Sequence, residues 1–126
     1  MAESVQQKRK KLPPSRAHLR HRASCSPENF NDYAIKRTLL PQTAWGLEVL
    51  EMELPSGSQI RSPGVPNRET IWQILAGSGL MTLGVNQFAV VPGDVIYIQP
   101  DTAYAIRSMA ASPLRINCIS NTRGFS

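Results

Sequence analysis

Apolar and polar residues alternate in short runs along most of this chain, and turn residues separate the runs. Within residues 47–54, for example, Met52 and Leu54 fall on one face of a strand while Glu51 and Glu53 fall on the other. An alternation with a period of two is typical of an antiparallel strand with one buried face. No long segment shows a helical period instead. The pattern predicts an all-β domain.

Further strands are predicted where β-branched, aromatic or other apolar residues lie between turns rich in glycine or proline. Their expected ranges are 70–75, 80–83, 88–91, 95–98, 103–108 and 114–120. Residues 55–68 are predicted to form a long loop, because proline or glycine recurs there every few residues. The segment Ser26-Pro27-Glu28 resembles a helix start, so we expect one turn of helix followed by a strand into Leu40. About eight or nine short strands favour a sandwich or a small barrel.

The 126-residue chain carries a formal net charge of +5, and this charge is distributed unevenly. Residues 1–37 contain nine Lys or Arg against three acidic residues, whereas residues 38–126 contain five against six. Residues 1–24 contain few apolar side chains and a Pro-Pro pair, so they cannot bury enough surface to offset chain entropy. We therefore expect residues 1–24 to be disordered, within a basic N-terminal tail over residues 1–37, and one β-barrel domain over residues 38–126.

Seven basic residues of the tail are candidates for contact with nucleic acid. They are Lys8, Arg9, Lys10, Lys11, Arg16, Arg20 and Arg22. The run from Lys8 to Lys11 resembles a nuclear-import signal, and the whole set would attract phosphates without regard to base sequence. An ordinary solvated tail explains the same residues. No aromatic side chain is interleaved among these basic residues to suggest the stacking of bases.

Two cysteines, Cys25 and Cys118, are too few for a disulfide framework and are not spaced as zinc ligands are. Cys118 alternates with Ile116 in a predicted strand, which favours a small buried apolar residue over a redox role. Whether the two cysteines pair stays open. The chain has no apolar run of about 18 residues. We expect an intracellular protein without membrane contact, nuclear if its source is eukaryotic and cytoplasmic if bacterial.

The stretch from Pro92 to Ser108, PGDVIYIQPDTAYAIRS, is predicted to form a strand, a turn and a second strand. This stretch resembles the second sequence motif of the cupin family. Gly57 and the run from Ile74 to Gly77 fit parts of the first motif of that family, so the resemblance covers most of residues 47–120. It implies a cupin-like double-stranded β-helix, the RmlC-like jelly-roll barrel.

The residues that bind metal in cupins are missing from the matching positions of this chain. The glutamate position of the first motif falls on Thr70, and the histidine position of the second motif falls on Tyr104. The histidine pair of the first motif falls within Pro63–Pro66, which contains no histidine. His18 and His21 lie among arginines in the basic tail, where a cation would be repelled. The resemblance and these replacements together imply a barrel with no metal and no cofactor.

Alternation along the strands also indicates which residues face the interior of the barrel. If Thr70 faces inward, Trp72 does too, and Tyr104 joins them from a facing strand. Two interpretations stay open. Either these side chains fill a core, or Arg68, Thr70, Trp72 and Tyr104 surround a small acid or sugar at the mouth of the barrel.

Three functions stay open at this stage. Cupins commonly pair through their sheets, and the segment Tyr104-Ala105-Ile106 is similar to one in the dimerisation domain of the centromere protein C family. The resemblance therefore implies a non-catalytic homodimerisation or interaction module, which the basic tail would tether to nucleic acid or chromatin. The alternatives are a small-molecule-sensing domain of a regulator and a metal-independent isomerase or epimerase. The last needs a histidine base that the barrel lacks, so the sequence favours a protein that is not an enzyme.

Overall fold

The computed structural model describes residues 19–29, 34–44 and 46–121 of the chain. Within these residues the chain forms a 3-10 helix at Arg22–Ser24 and ten β-strands. The strands are β1 Pro27–Asn29, β2 Ile35–Leu40, β3 Leu47–Leu54, β4 Gln59–Ser62, β5 Glu69–Ala76, β6 Gly79–Leu83, β7 Asn86–Val90, β8 Val95–Ile98, β9 Tyr104–Ser108 and β10 Leu114–Asn121. None of the described segments forms a helix that is long and apolar enough to cross a membrane.

The ten strands form two antiparallel sheets. The larger sheet has the order β1-β2-β3-β10-β5-β8, and the smaller sheet has the order β4-β9-β6-β7. Strands that are distant in the sequence are therefore neighbours, since β10 lies between β3 and β5 and β9 lies between β4 and β6. Such crossovers distinguish a jelly-roll barrel from a simple meander. The predicted all-β jelly-roll fold is confirmed.

The core of the barrel is built from the inward faces of both sheets. Trp72, Ile74 and Ile116 enter it from the larger sheet, Met81 and Ile106 enter it from the smaller sheet, and none is more than 2% exposed. Burying one such side chain stabilises the fold by about 1.5–3 kcal/mol before the entropy of ordering it is counted. The burial of alternate residues along β5, β9 and β10 follows the alternation in the sequence.

Most strand limits agree with the sequence prediction to within two residues, and those of β3 and β8 agree completely. The exception is β4, which lies inside the segment 55–68 that the sequence predicts to be a loop. This strand contributes one buried apolar residue, Ile60, and pairs with β9. The sequence of β4, QIRS, contains one apolar residue, so it lacks the apolar run that marks the equally short β8.

The segment before β3 differs from the prediction. The expected helical turn at Ser26-Pro27-Glu28 is wrong, because Pro27–Asn29 is strand β1 and the turn of helix lies earlier, at Arg22–Ser24. Proline is tolerated here because Pro27 is the first residue of a strand at the sheet edge. Strand β2 also runs unbroken from Ile35 to Leu40, so the larger sheet begins before the expected domain boundary at residue 38.

Glu51 is buried although it lies on the outer face of β3. Its carboxylate is 4% exposed and accepts hydrogen bonds from Arg22 Nε at 2.6 Å and from Arg115 Nε at 3.0 Å. Burial by itself raises the pKa of Glu51, but the hydrogen bonds and charges of the two arginines outweigh burial and lower that pKa from its ordinary value of 4.5. Arg22 thereby fastens residues 19–24 of the predicted tail to the barrel. Residues 1–18 lie outside the described residues.

Both cysteines are buried and free, so Cys25 and Cys118 form no disulfide. Cys118 faces inward from β10 and is 4% exposed, as its alternation with Ile116 predicts. Burial raises the pKa of the Cys118 thiol far above its ordinary value of 9.0. This thiol is therefore a neutral, apolar part of the interior.

Candidate functional site

A cavity of about 140 Å³ lies between the two sheets at one end of the barrel. All four pocket candidates from the sequence, Arg68, Thr70, Trp72 and Tyr104, line this cavity. The structure therefore brings them together around one space. The remaining lining residues are Leu50, Met52, Val65, Ile98, Gln99, Thr102, Cys118 and Ser120.

Thr70 and Ser120 place a pair of hydroxyl groups in the cavity wall. The two residues are direct partners in the pairing of β5 with β10, so their side chains stand side by side on the inward face. Thr70 Oγ1 and Ser120 Oγ are 3.2 Å apart and share one hydrogen bond. Because each hydroxyl carries one proton, the shared bond leaves the other proton of the pair available to a third group.

Trp72 and Tyr104 form the aromatic part of the wall. Their ring centroids are 4.9 Å apart and their planes are inclined at 80°, which is the edge-to-face geometry that aromatic rings prefer. Trp72 is buried, whereas Tyr104 is only partly buried. Burial raises the pKa of the Tyr104 phenol from its ordinary value of 10.0, although a hydrogen bond with Ser62 and the charge of Arg68 oppose this effect. The phenol therefore keeps its proton at neutral pH.

Arg68 contributes a positive charge beside these hydroxyl groups. Its NH1 nitrogen lies 3.7 Å from Glu48 Oε1, which is an ion-pair distance but too long for a hydrogen bond. Its Nε is buried and has no hydrogen-bond partner among the residues that the structure describes. A buried N–H without a partner costs about 1–3 kcal/mol, so such groups are uncommon in the absence of a role.

Two loops meet beside the cavity and hold its rim. The backbone N–H of Asp101 donates to the carbonyl oxygen of Val65 at 3.1 Å. Gly64 makes this approach possible, since it has a φ of +105° and a Cβ added there would lie 2.7 Å from the carbonyl carbon of Asp101. This contact holds Val65 and Thr102, one from each loop, at the edge of the cavity.

Several lining residues are not among the sequence candidates. Ser120 and Cys118 lie on the inward face of β10, and their alternation with Ile116 is a signal that identifies them as interior residues. Thr102 and Val65 come from loops, for which the sequence has no periodic signal. Their place beside the cavity follows only from the contact between the loops.

The lining does not fit the metal ion that cupin barrels commonly hold. Among the described residues, no group of three His, Cys, Asp or Glu side chains is placed to hold a metal. Thr70 and Tyr104, which occupy two of the family's ligand positions, offer a hydroxyl and a protonated phenol. The Cys118 thiol keeps its proton, and Arg68 would repel a cation.

A second feature lies on the outer face of the larger sheet, at its β5–β8 edge. Ile71, Leu75, Val95 and Tyr97 are each between 40% and 62% exposed, and we call this set the outer apolar face. Ile71 pairs directly with Tyr97, and Ile119 of β10 pairs with Ile71 on the other side, so the apolar row continues across three strands. The hydroxyl of Tyr97 donates to Glu69, and this bond raises the pKa of Tyr97 from its ordinary value of 10.0.

The basic candidates of the tail divide into two groups. Residues 1–18, which include Lys8, Arg9, Lys10, Lys11 and Arg16, lie outside the described residues. Arg20 and Arg22 contact the barrel instead. Arg20 Nε donates to the carbonyl oxygen of Leu39 at 3.0 Å, and Arg22 pairs with Glu51. The charge of Arg22 is therefore balanced within the fold.

These features define the fold. The chain has the double-stranded β-helix fold of cupin proteins, as its crossed antiparallel strands, the inward cavity at one end of the barrel and its similarity to solved structures show. It is 38% identical over 97 residues to the uncharacterized protein MJ1618 of Methanocaldococcus jannaschii, a match that covers 75% of this chain and 78% of that protein. No family model matches the chain.

Solved structures resemble the fold closely at low sequence identity. A predicted oxalate decarboxylase from Thermotoga maritima superposes with a TM-score of 0.76 at 17% identity, over 83% of this chain and 99% of that chain. The cupin domain of Cnp3 from Schizosaccharomyces pombe superposes with a TM-score of 0.70 at 16% identity, over 79% of this chain and 70% of that chain. At such identities the similarity shows the fold alone.

Proposed function

We propose that this protein is a ligand-binding cupin that does not catalyse a reaction, and that its barrel cavity receives a small organic molecule. The observation that supports this most strongly is the composition of the cavity wall. Apolar side chains such as Met52, Trp72 and Ile98 line part of it, while hydroxyl groups and a guanidinium line the rest. Cavities that are mainly apolar and contain a few convergent polar groups are the usual form of a small-molecule site.

The chemistry of the same wall argues against catalysis. A metal-independent isomerase or epimerase needs a base to remove a proton, and the described lining residues include no histidine and no carboxylate. Tyr104 keeps its proton at neutral pH and so acts as a hydrogen-bond donor. The wall therefore supplies donors and apolar contacts, which hold a ligand without reacting with it.

Differential scanning fluorimetry against a panel of small organic molecules tests this proposal. The informative variant is Thr70→Leu, which fills part of the cavity and removes one hydroxyl. Its matched control is Gln87→Leu, which makes a similar change on an exposed strand of the smaller sheet, away from the cavity. We expect compounds that raise the Tm of the natural protein and of Gln87→Leu but not of Thr70→Leu. Equal stabilisation of both variants, or no stabilising compound at all, contradicts the proposal.

The outer apolar face supports homodimerisation as a second function. Apolar side chains exposed across neighbouring strands are characteristic of surfaces that bind another protein. A second copy of this chain would present the same face, so the contact would be self-complementary under twofold symmetry. Homodimerisation is compatible with ligand binding, because the outer face and the cavity lie on opposite sides of the larger sheet.

Val95→Glu tests the dimer, since Val95 is 62% exposed within the outer apolar face. Val85→Glu is the control, because Val85 is 98% exposed in the β6–β7 hairpin. Light scattering should give a dimer mass for the natural protein and for Val85→Glu, and a monomer mass for Val95→Glu. A natural protein that is monomeric at all concentrations contradicts this second function and leaves the ligand proposal unaffected.

A further inference from the structure

The cavity carries donors of hydrogen bonds and one positive charge, and this combination selects a class of ligand. Arg68 is the charged residue of its lining, and the buried Nε of Arg68 has no hydrogen-bond partner among the described residues. The nearest carboxylate oxygen, on Glu48, lies 3.7 Å from NH1 and so does not use the donors of the guanidinium as hydrogen bonds. The Arg68 side chain is 36% exposed, so the terminal N–H groups of its guanidinium, rather than the buried Nε, are available to an acceptor that enters the cavity.

The neutral groups around Arg68 are also suited to an acceptor. Thr70 and Ser120 share one hydrogen bond between two hydroxyl groups, which leaves one proton to donate. Tyr104 is a protonated phenol on the facing wall. The Cys118 thiol is protonated as well, so no described lining residue carries a negative charge. The carboxylate of Glu48 lies just outside the lining, where it raises the pKa of Cys118 and offsets part of the charge of Arg68. A ligand oxygen that carries negative charge would gain from all of these donors together.

The volume of the cavity and the apolar part of its wall indicate the size and polarity of the remainder of the ligand. The cavity volume of about 140 Å³ is close to that of cavities known to admit a single benzene ring. Trp72, Met52 and Ile98 offer apolar contact to a group of that size. A sugar would bring several hydroxyl groups to these apolar side chains, which would leave those hydroxyls without partners.

We infer that the cavity binds a small monocarboxylate, with its carboxylate on the guanidinium of Arg68 and its hydrocarbon part against Trp72. This inference rests on the proposed function, since it names the class of ligand for the same cavity. A planar carboxylate matches the fork of an arginine with two parallel hydrogen bonds, which a lysine or an amide would not reproduce.

Isothermal titration calorimetry with pairs of isosteres tests the inference. The pairs are benzoate with benzamide, isobutyrate with isobutyramide, and phenylacetate with phenylacetamide. Each pair keeps the hydrocarbon part and replaces the charged carboxylate, which only accepts hydrogen bonds, with a neutral amide that has one acceptor oxygen and an NH2 donor. The variants are Arg68→Gln and Arg68→Lys. Arg107→Gln is the matched control, because Arg107 lies on the same strand as Tyr104, three residues further along β9, and is exposed outside the cavity lining.

We expect the carboxylate of at least one pair to bind the natural protein and Arg107→Gln about tenfold or more tightly than its amide. Arg68→Gln should abolish this preference by weakening the carboxylate and leaving the amide unchanged, and Arg68→Lys should restore it only in part. Thermal unfolding of Arg68→Gln checks that the barrel is intact. The ratio of the Kd of the amide to the Kd of the carboxylate measures this preference. If Arg68 only supported the fold, its replacement would weaken both ligands and leave this ratio unchanged.

These measurements distinguish a failure of the carboxylate inference from a failure of the ligand-binding proposal. If amides or other neutral compounds bind as tightly as carboxylates, or if Arg68→Gln keeps the preference, the carboxylate inference is wrong while ligand binding stands. If no compound of the calorimetric pairs or of the fluorimetry panel binds, the proposed function itself is wrong.

Discussion

Trp72 and Tyr104 meet edge to face in the cavity wall, with their ring centroids 4.9 Å apart. The two residues come from different sheets, since Trp72 lies on β5 and Tyr104 lies on β9. Their contact therefore joins the sheets at the point where the cavity begins. It also fixes the orientation of the indole against which a ligand would lie.

Replacing Trp72 should destabilise the barrel strongly. Trp72 is 2% exposed, so Trp72→Ala removes a large buried side chain and should cost about 3–5 kcal/mol. Denaturant unfolding followed by circular dichroism measures this loss. Val85→Ala, in the exposed hairpin, is the control and should change the free energy of unfolding by no more than about 0.5 kcal/mol. A loss below about 1 kcal/mol for Trp72→Ala would place the indole outside the core.

Glu51→Gln should destabilise the fold by loosening the N-terminal segment. The natural carboxylate accepts hydrogen bonds from Arg22 and Arg115, and hydrogen bonds to charged groups contribute about 1.5–3 kcal/mol. We expect a loss of that size in denaturant unfolding. Glu53→Gln is the matched control, since Glu53 lies on the same face of β3 but is less buried. Equal effects of the two substitutions would show that the ion pairs of Glu51 are not stabilising.

The same carboxylate predicts how stability depends on pH. The pKa of Glu51 is lower in the folded protein than its ordinary value of 4.5, so in acid the unfolded chain binds this proton first. The stabilisation is thus complete above pH 4.5 and is lost as the pH falls through the folded pKa. Thermal unfolding between pH 3 and pH 7 should show a steeper loss in the natural protein than in Glu51→Gln. Parallel curves would refute this linkage.

The sequence predicts much of the fold because alternation records which face of each strand is buried. On β5 and β9 this alternation places Trp72 and Tyr104 in the interior, and the structure brings both to one cavity. It also explains why Thr70 and Arg68 belong to the same site. The interior residues of a barrel can therefore be predicted from the sequence when their strands are long enough to show a period of two.

The remaining features depend on contacts between segments that are distant in the sequence. The alternation within one strand does not predict such contacts. Glu51 has the position of a solvent-facing residue, yet Arg22 covers it from a segment 29 positions earlier. Strand β1 likewise exists because Pro27–Asn29 pairs with β2, against the local signal for a helix start. The rim of the cavity depends on Gly64 meeting Asp101 across two loops. Tertiary pairing overrides local preference in each instance.

Removing residues 1–18 should separate charge-driven binding from the properties of the barrel. These residues carry five Lys or Arg against one acidic residue, and we propose that they attract polyanions such as nucleic acid. Retention on a DNA column should disappear on truncation and should weaken steeply with salt in the full chain. The number of chains per assembly and the thermal stability should not change, because Arg22 and its bond to Glu51 remain. Undiminished retention after truncation would locate the basic surface on the barrel instead.

Methyl-resolved nuclear magnetic resonance shows whether a small molecule occupies the cavity. The methyl groups of Met52 and Ile98 line the cavity, whereas those of Ile71 and Val95 lie on the outer face of the same sheet. Titration with the compound that most stabilises the natural protein should shift the signals of Met52 and Ile98 and leave those of Ile71 and Val95 in place. Shifts confined to Ile71 and Val95, or no shift at Met52 and Ile98, would show that the compound does not bind in the cavity.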